Sequence, residues 1–246
     1  SFGDKLPCPN LSKLRFANGV AQNFFDNCFD EFNESPEAPD ITAISKNQEI
    51  VLVLDNDKTS NNYNEKFVST IPNIPSPFDD KYRFEGYMVY QLANEKVRFD
   101  QLNDPTYAKL ISQSDIKNNV SDIFNWNYVA NPDTSSSADR YIWTKSLMVV
   151  GADQGLRTTF SVTEDLFATG DKTLINDKNY YFCAIAYAYN NWRQFDNIER
   201  FGQKKPFLTG STNFKVYQFS PMKTFGPDDP RLKVTRISGE GNPHIF

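Results

Sequence analysis

The stretch LINDKNYYFCAIAYAY, Leu174 to Tyr189, decides the fold. Asn176 and Asp177 are turn residues, because their short polar side chains bond nearby backbone and tolerate left-handed conformations. An almost unbroken apolar and aromatic run follows, from Tyr180 to Tyr189. Aromatic residues fit the pleated surface of a sheet. A short run of this kind, bounded by turn signals, reads as a buried strand.

The neighbouring sequence agrees. GLRTTFSVTEDLF, starting at Gly155, places Phe160 and Val162 in alternation with polar residues, and a Gly170-Asp171 turn follows. EIVLVLD, residues 49–55, sets Ile50, Leu52 and Leu54 on one face and Val51 and Val53 on the other. Two apolar faces predict a central strand. Asp40–Ser45 is its partner across Lys46, Asn47 and Gln48, and Tyr82–Gln91 is a further strand. Asn213–Gln218 is the last. Several short strands with turns between them predict an antiparallel sandwich or barrel.

The connections are long. Asp55–Asp80 is polar and rich in Asn, Ser and Pro, which predicts a loop. In residues 93–156, Asp104–Phe124 has weak helical or turn character and Arg140–Val150 holds a strand. Trp192–Gly210 reads as a loop with charges of both signs. Residues 9–31 repeat Leu14, Ala17, Ala21, Phe24, Phe25 and Cys28 at three- and four-residue steps, which predicts an amphipathic helix. Pro36 and Pro39 then mark a linker, and the tail from Pro221 reads as a linker or the start of another element.

Composition narrows the function. Of 246 residues, 15% are aromatic and 23% charged, which argues against disorder throughout. A net charge of −5 with no basic stripe argues against nucleic-acid binding. No apolar run approaches the roughly 18 residues that span a membrane. No signal peptide is evident and the chain starts at Ser1, so it reads as a piece of something longer.

Leu174 is followed six positions later by Tyr180, with apolar or small residues at alternating positions down to Ala186. This resembles the E–F turn and strand F of fibronectin type III domains. The resemblance implies that Leu174 plugs the turn and that the Tyr180 hydroxyl bonds backbone near it. It also implies that Tyr180, Phe182, Ala184 and Ala186 face the core, and that Tyr181, Cys183, Ile185 and Tyr187 face the other side. PEAPDITAIS resembles strand A, EIVLVLD strand B and FEGYMVY strand C, with Tyr87 and Val89 inward. Leu54 stands where that family has a buried Trp, so a neighbouring aromatic is expected to fill the space. A plain domain has about 100 residues. Here the sandwich spans 36–221, with insertions at 55–80, 93–155 and 192–211, a helical segment at 1–35 and a linker at 222–246. The wording of these motifs also resembles modules of large secreted or cell-surface proteins of Bacteroidetes-type bacteria that use the type IX secretion route. That resemblance implies an extracellular or cell-surface location.

Signals for chemistry are weak. The sole histidine, His244, is two residues from the end, a poor place for a general base. Cys8, Cys28 and Cys183 are too few and too scattered for a zinc site, and Cys183 lies inside a strand. Glu164-Asp165 and Asp79-Asp80 are acid pairs of the kind glycoside hydrolysis needs, but 31 acids make such pairs inevitable. Asp55 and Asp57 begin a calcium-loop pattern that fails at Ser60 and Lys66. An Asx-rich turn is the plainer reading. Tyr90, Tyr181, Tyr187, Tyr189, Trp192 and Phe195 either line an exposed platform for sugars or a protein partner, or are buried under the insertions. The second is preferred, because the insertions must cover something.

The sequence therefore points to a non-catalytic structural or protein-interaction module without a cofactor. Its partners would be other domains of its parent protein or a surface protein. The alternatives are a polysaccharide-binding module using Tyr187, Tyr189, Trp192 and Phe195, and a subunit of a surface assembly.

Overall fold

The computed structural model describes residues 34–71, 74–133 and 140–223. The helix expected at 9–31, Cys8, Cys28, His244 and the tail beyond residue 223 lie outside the described residues. The described chain is mainly β. Its strands are β1 (Asp40–Lys46), β2 (Glu49–Asp55), β3 (Val68–Thr70), β4 (Lys81–Leu92), β5 (Ala108–Asp115), β6 (Asp122–Ala130), β7 (Tyr141–Val150), β8 (Thr159–Val162), β9 (Tyr180–Tyr189), β10 (Phe207–Thr209) and β11 (Tyr217–Phe219).

All pairings between these strands are antiparallel. One sheet has the order β1-β2-β8, so β2 is central. A second is built on the long pair β4 and β9. Each of these is flanked by two short strands in line: β3 and β5 along β4, β10 and β11 along β9. The third sheet is the hairpin β6–β7.

The pleat of β9 divides the interior in two, because successive side chains of a strand point to opposite faces. Tyr180, Phe182, Ala184, Ala186 and Ala188 join a cluster with Ile50, Leu52, Leu54, Phe160 and Val162 of the first sheet and Tyr87 and Val89 of β4. Phe67, from the 55–80 connection, is buried in the same cluster as Leu54. Cys183, Ile185 and Tyr187 join a second cluster with Met88, Tyr90, Leu92, Ile123, Val149 and Phe207. Residues of the 93–155 segment therefore cover the far face of the second sheet.

The turn before β9 is closed by its own residues. Leu174 is wholly buried, and the Ile175 N–H donates to the Tyr180 hydroxyl at 2.9 Å. Asp177 takes φ +65°, a left-handed conformation that aspartate tolerates. The adjacent Asn176 bonds the Gln48 N–H and the Asn47 side chain, each at 2.8 Å, tying this turn to the β1–β2 hairpin.

Three connections carry more order than their sequences suggest. Asp104–Phe124 contains β5 and the start of β6 rather than helix. Its strand AKLISQSD carries polar residues on both faces, so no period stands out, and Gly86 to Leu92 of β4 supply the backbone partners that order it. The 55–80 connection holds β3, and Trp192–Gly210 holds β10. The last strand lies at Tyr217–Phe219 rather than Asn213–Gln218. β3, β10 and β11 have three residues each, too few to show a period, and are fixed by pairing with β4 or β9.

Candidate functional site

Of the six aromatics of the expected platform, Tyr90, Tyr187 and Phe195 are buried, in line with the preferred reading and against an exposed platform at Tyr187 and Phe195, while Tyr181 is half-buried. Tyr187 is wholly buried and Phe195 is 4% exposed. Tyr187 lies in the second cluster, near the Phe207 ring at 5.4 Å. Phe195 packs between Trp126 of β6 and Trp143 of β7, at 5.2 and 4.9 Å. The physical reason is the β6–β7 hairpin, which lies over this end of the second sheet. Its Asn125 exchanges two hydrogen bonds with the Phe207 backbone, at 2.9 and 3.2 Å. Tyr189 and Trp192 remain half-buried.

Tyr189 and Trp192 border a cleft of about 370 Å³. Its other walls include Asp79, Lys81, Arg83, Glu85, Asn118 and Asn190. A recess of about 110 Å³ shares Tyr189 and Asn191 with it.

Local sequence explains how the cleft is built. In the β4–β9 ladder, Phe84 pairs with Ala188 and Gly86 with Tyr187, so Glu85 is the extra residue of a β-bulge. A bulge re-aims a side chain. Phe84 and Tyr87 consequently both lie in the first cluster, and the carboxyl of Glu85, only 3% exposed, lines the cleft. Gly86 is required here, since a Cβ would collide with the Ser114 backbone carbonyl oxygen and stand 2.6 Å from the Tyr187 hydroxyl oxygen.

Asn118 Nδ2 donates to both Glu85 oxygens, at 2.9 and 3.1 Å. Burial pushes Glu85 up to about 7, with the Asn118 bond opposing and the nearby Asp115 and Asp153 charges adding. At the rim, Arg83 pairs with Asp79 at 2.5 Å, and that bond holds Asp79 below the usual carboxylate range. Asn190 is buried and fully used. Its Nδ2 donates to the Asp79 and Lys81 carbonyls, while its Oδ1 accepts from the Trp192 N–H at 3.0 Å. Trp192 is braced edge-on by Phe78 at 5.1 Å and by Phe201 at 5.3 Å.

The remaining sequence candidates take other places. Asp57 accepts from the Thr59 N–H at 2.8 Å and its hydroxyl at 2.6 Å, making a turn after β2, and Asp55 is exposed at the end of that strand. No grouping of three His, Cys, Asp or Glu able to hold a metal occurs among the described residues. Asp165 is paired with Lys178 at 2.8 Å and accepts from the Phe167 N–H. Cys183 is a buried free thiol, pushed far up by burial. Glu85, Arg83, Asn118 and Asn190 are the cleft residues that sequence reasoning missed. The one signal in the sequence was a glutamate inside FEGYMVY, where every neighbour but the glycine is apolar or aromatic.

A second surface stands apart from both cores. Along one face of the hairpin, Tyr128 lies near Tyr141 at 5.4 Å and near Trp143 at 5.0 Å. Lys145 sits over Trp126 at 5.1 Å and Lys204 over Trp143 at 5.0 Å, cation–ring contacts that hold the face in place. Comparison of the chain with protein-family models, curated proteins and solved structures finds no match in any of the three.

Proposed function

We propose that the chain is a fibronectin type III-like sandwich with elaborated connections. In this reading it is a non-catalytic structural and protein-interaction module of a large secreted or cell-surface protein. The parent is of the kind that Bacteroidetes-type bacteria export by the type IX route. Two facts favour the sandwich: side chains of the first two sheets meet in one cluster, and Ile175 N–H bonds the Tyr180 hydroxyl beside a buried Leu174.

The observation that carries the interaction role is the aromatic face of the β6–β7 hairpin. Trp126, Tyr128, Tyr141 and Trp143 are all half-buried and belong to neither core cluster. On the same strand pair Leu147 is 53% exposed and Val150 65% exposed. Contiguous apolar and aromatic surface of this kind marks contact sites, and Tyr and Trp dominate the energetics of such contacts. The partner is another domain of the parent protein or a neighbouring surface protein. Cross-linking the full-length parent and mapping the links by mass spectrometry tests this. Links are expected to concentrate on Lys145 and Lys204. Their absence there, or their persistence in Tyr128→Ala/Tyr141→Ala, would count against the hairpin as the contact. Surface biotinylation of intact cells tests the location.

A further inference from the structure

We infer that the cleft between Glu85, Arg83 and Trp192 binds a saccharide, taking up one or two uncharged, hydroxyl-rich rings. This goes beyond the interaction role and uses a different surface from the hairpin face.

Size comes first. The cleft's roughly 370 Å³ falls within the roughly 300–1,000 Å³ of small-molecule sites. Shape comes next. Trp192 offers a half-buried ring, with its neighbours Phe78 and Phe201 set edge-on against it. The backbone leading to that ring is pinned by Asn190, itself bonded to the carbonyls of Asp79 and Lys81. A rigid aromatic wall is what the C–H face of a pyranose packs against, and little ordering remains to be done on binding.

Hydrogen-bond capacity makes the choice of ligand. A carboxylate has about four acceptor positions. Among the described residues, the Glu85 carboxyl receives hydrogen bonds only from Asn118, although the residue is just 3% exposed. A buried group with unused acceptor capacity at the floor of a cleft calls for donors from a ligand. Sugar hydroxyls donate and accept, and Arg83 and Lys81 at the rim provide donors in return. Charge is balanced along the walls, with Asp79 and Glu85 against Lys81 and Arg83. Arg83 is already paired with Asp79, so the walls offer a phosphate no uncommitted guanidinium.

Affinity electrophoresis of the purified chain tests the inference. The gels would contain galactomannan, xyloglucan, mixed-linkage β-glucan or α-mannan as neutral polymers, and alginate or polygalacturonate as uronate polymers. Retardation by at least one neutral polymer is expected. Trp192→Ala should weaken that interaction at least tenfold, Glu85→Gln several-fold, and Arg83→Met less. Circular dichroism and thermal unfolding confirm that each variant is folded. Arg83 is half exposed, so its variant reports even if another fails to fold. Tyr128→Ala on the hairpin should leave retardation unchanged, which separates this site from the contact face. Retardation by none of the neutral polymers would overturn the inference. So would retardation by uronate polymers alone, or neutral binding untouched in both Trp192→Ala and Arg83→Met.

Discussion

The two faces of β9 both bury side chains but do so differently. The inner face carries Tyr180, Phe182 and three alanines against Ile50, Leu52 and Leu54 of β2 and Phe160 and Val162 of β8, strands whose own alternation is regular. Its one polar group at the edge, the Tyr180 hydroxyl, is satisfied at 2.9 Å by the turn that precedes it. The outer face carries Cys183, Ile185 and Tyr187 against side chains gathered from β4, β5, β6, β7, β10 and the connection after β4. Buried polar atoms without well-formed partners occur on both sides: the Tyr187 hydroxyl and Gln113 Nε2 here, and Asn56 Oδ1 and Asn62 Oδ1 beside the inner-cluster Tyr87. The inner face holds the fold. The outer face accommodates a hairpin and a cleft. Both surfaces proposed above for binding involve segments gathered on that less regular side.

The largest test of this contrast is Phe182→Ala. Phe182 is wholly buried at the centre of the inner face, and truncation of such a ring removes about 3–5 kcal/mol. Urea unfolding should show this with a single transition. If the hairpin signal, followed by Trp fluorescence, unfolds separately, the two faces are independent units.

Gly86→Ala strikes the junction of the two faces. Its Cβ would meet the Tyr187 hydroxyl, and overpacking of this kind costs about 1–3 kcal/mol. Loss of the bulge would also displace Glu85, so saccharide retardation should fall together with the melting temperature.

The outer face should also respond to pH. Glu85 in the folded chain is pushed to about 7, above its ordinary 4.5, so the folded state holds a proton that the unfolded state has released. Stability is therefore fully present below about pH 4.5 and declines as pH rises through about 7. The loss is about 2 kcal/mol, since each tenfold difference in proton affinity is worth about 1.4 kcal/mol and water in the cleft screens part of it. Glu85→Gln should flatten this slope in urea midpoints measured from pH 4.5 to 8. An unchanged slope would place the titrating group elsewhere.

The smallest effects compare two tyrosines on opposite sides of one strand. Tyr180→Phe leaves the Ile175 N–H without its acceptor and should lose about 1–2 kcal/mol. Tyr187→Phe removes a hydroxyl that makes no well-formed hydrogen bond, its polar neighbour being the Gln113 side chain, and should cost less than Tyr180→Phe, about 0.5–1 kcal/mol. Equal losses at both positions would erase the distinction between the faces.

Legibility in the sequence followed the same division. The pleat of β9, the burial of Leu174 and the inward sets of β2 and β4 could be read directly, because alternation and turn chemistry act over a few neighbouring residues. β5, β3 and β10 could not. Their order comes from partners far along the chain, and their own residues carry little period. Which aromatics the insertions would cover was likewise not legible. Tyr187 and Phe195 look alike in sequence to Tyr189 and Trp192, yet only the first two lie under the hairpin.

By itself, then, the sequence determined a chain of antiparallel strands with Tyr180 and Tyr187 on opposite faces. Strand period and turn residues are local properties, and they leave no other placement for so apolar a run. Only the tertiary structure decided which face the 93–155 segment covers, and only it revealed that Glu85 is the extra residue of a bulge facing a cleft. Register between β4 and β9 depends on how two distant strands fit side by side. A one-residue slip there changes no local preference but re-aims every side chain beyond it.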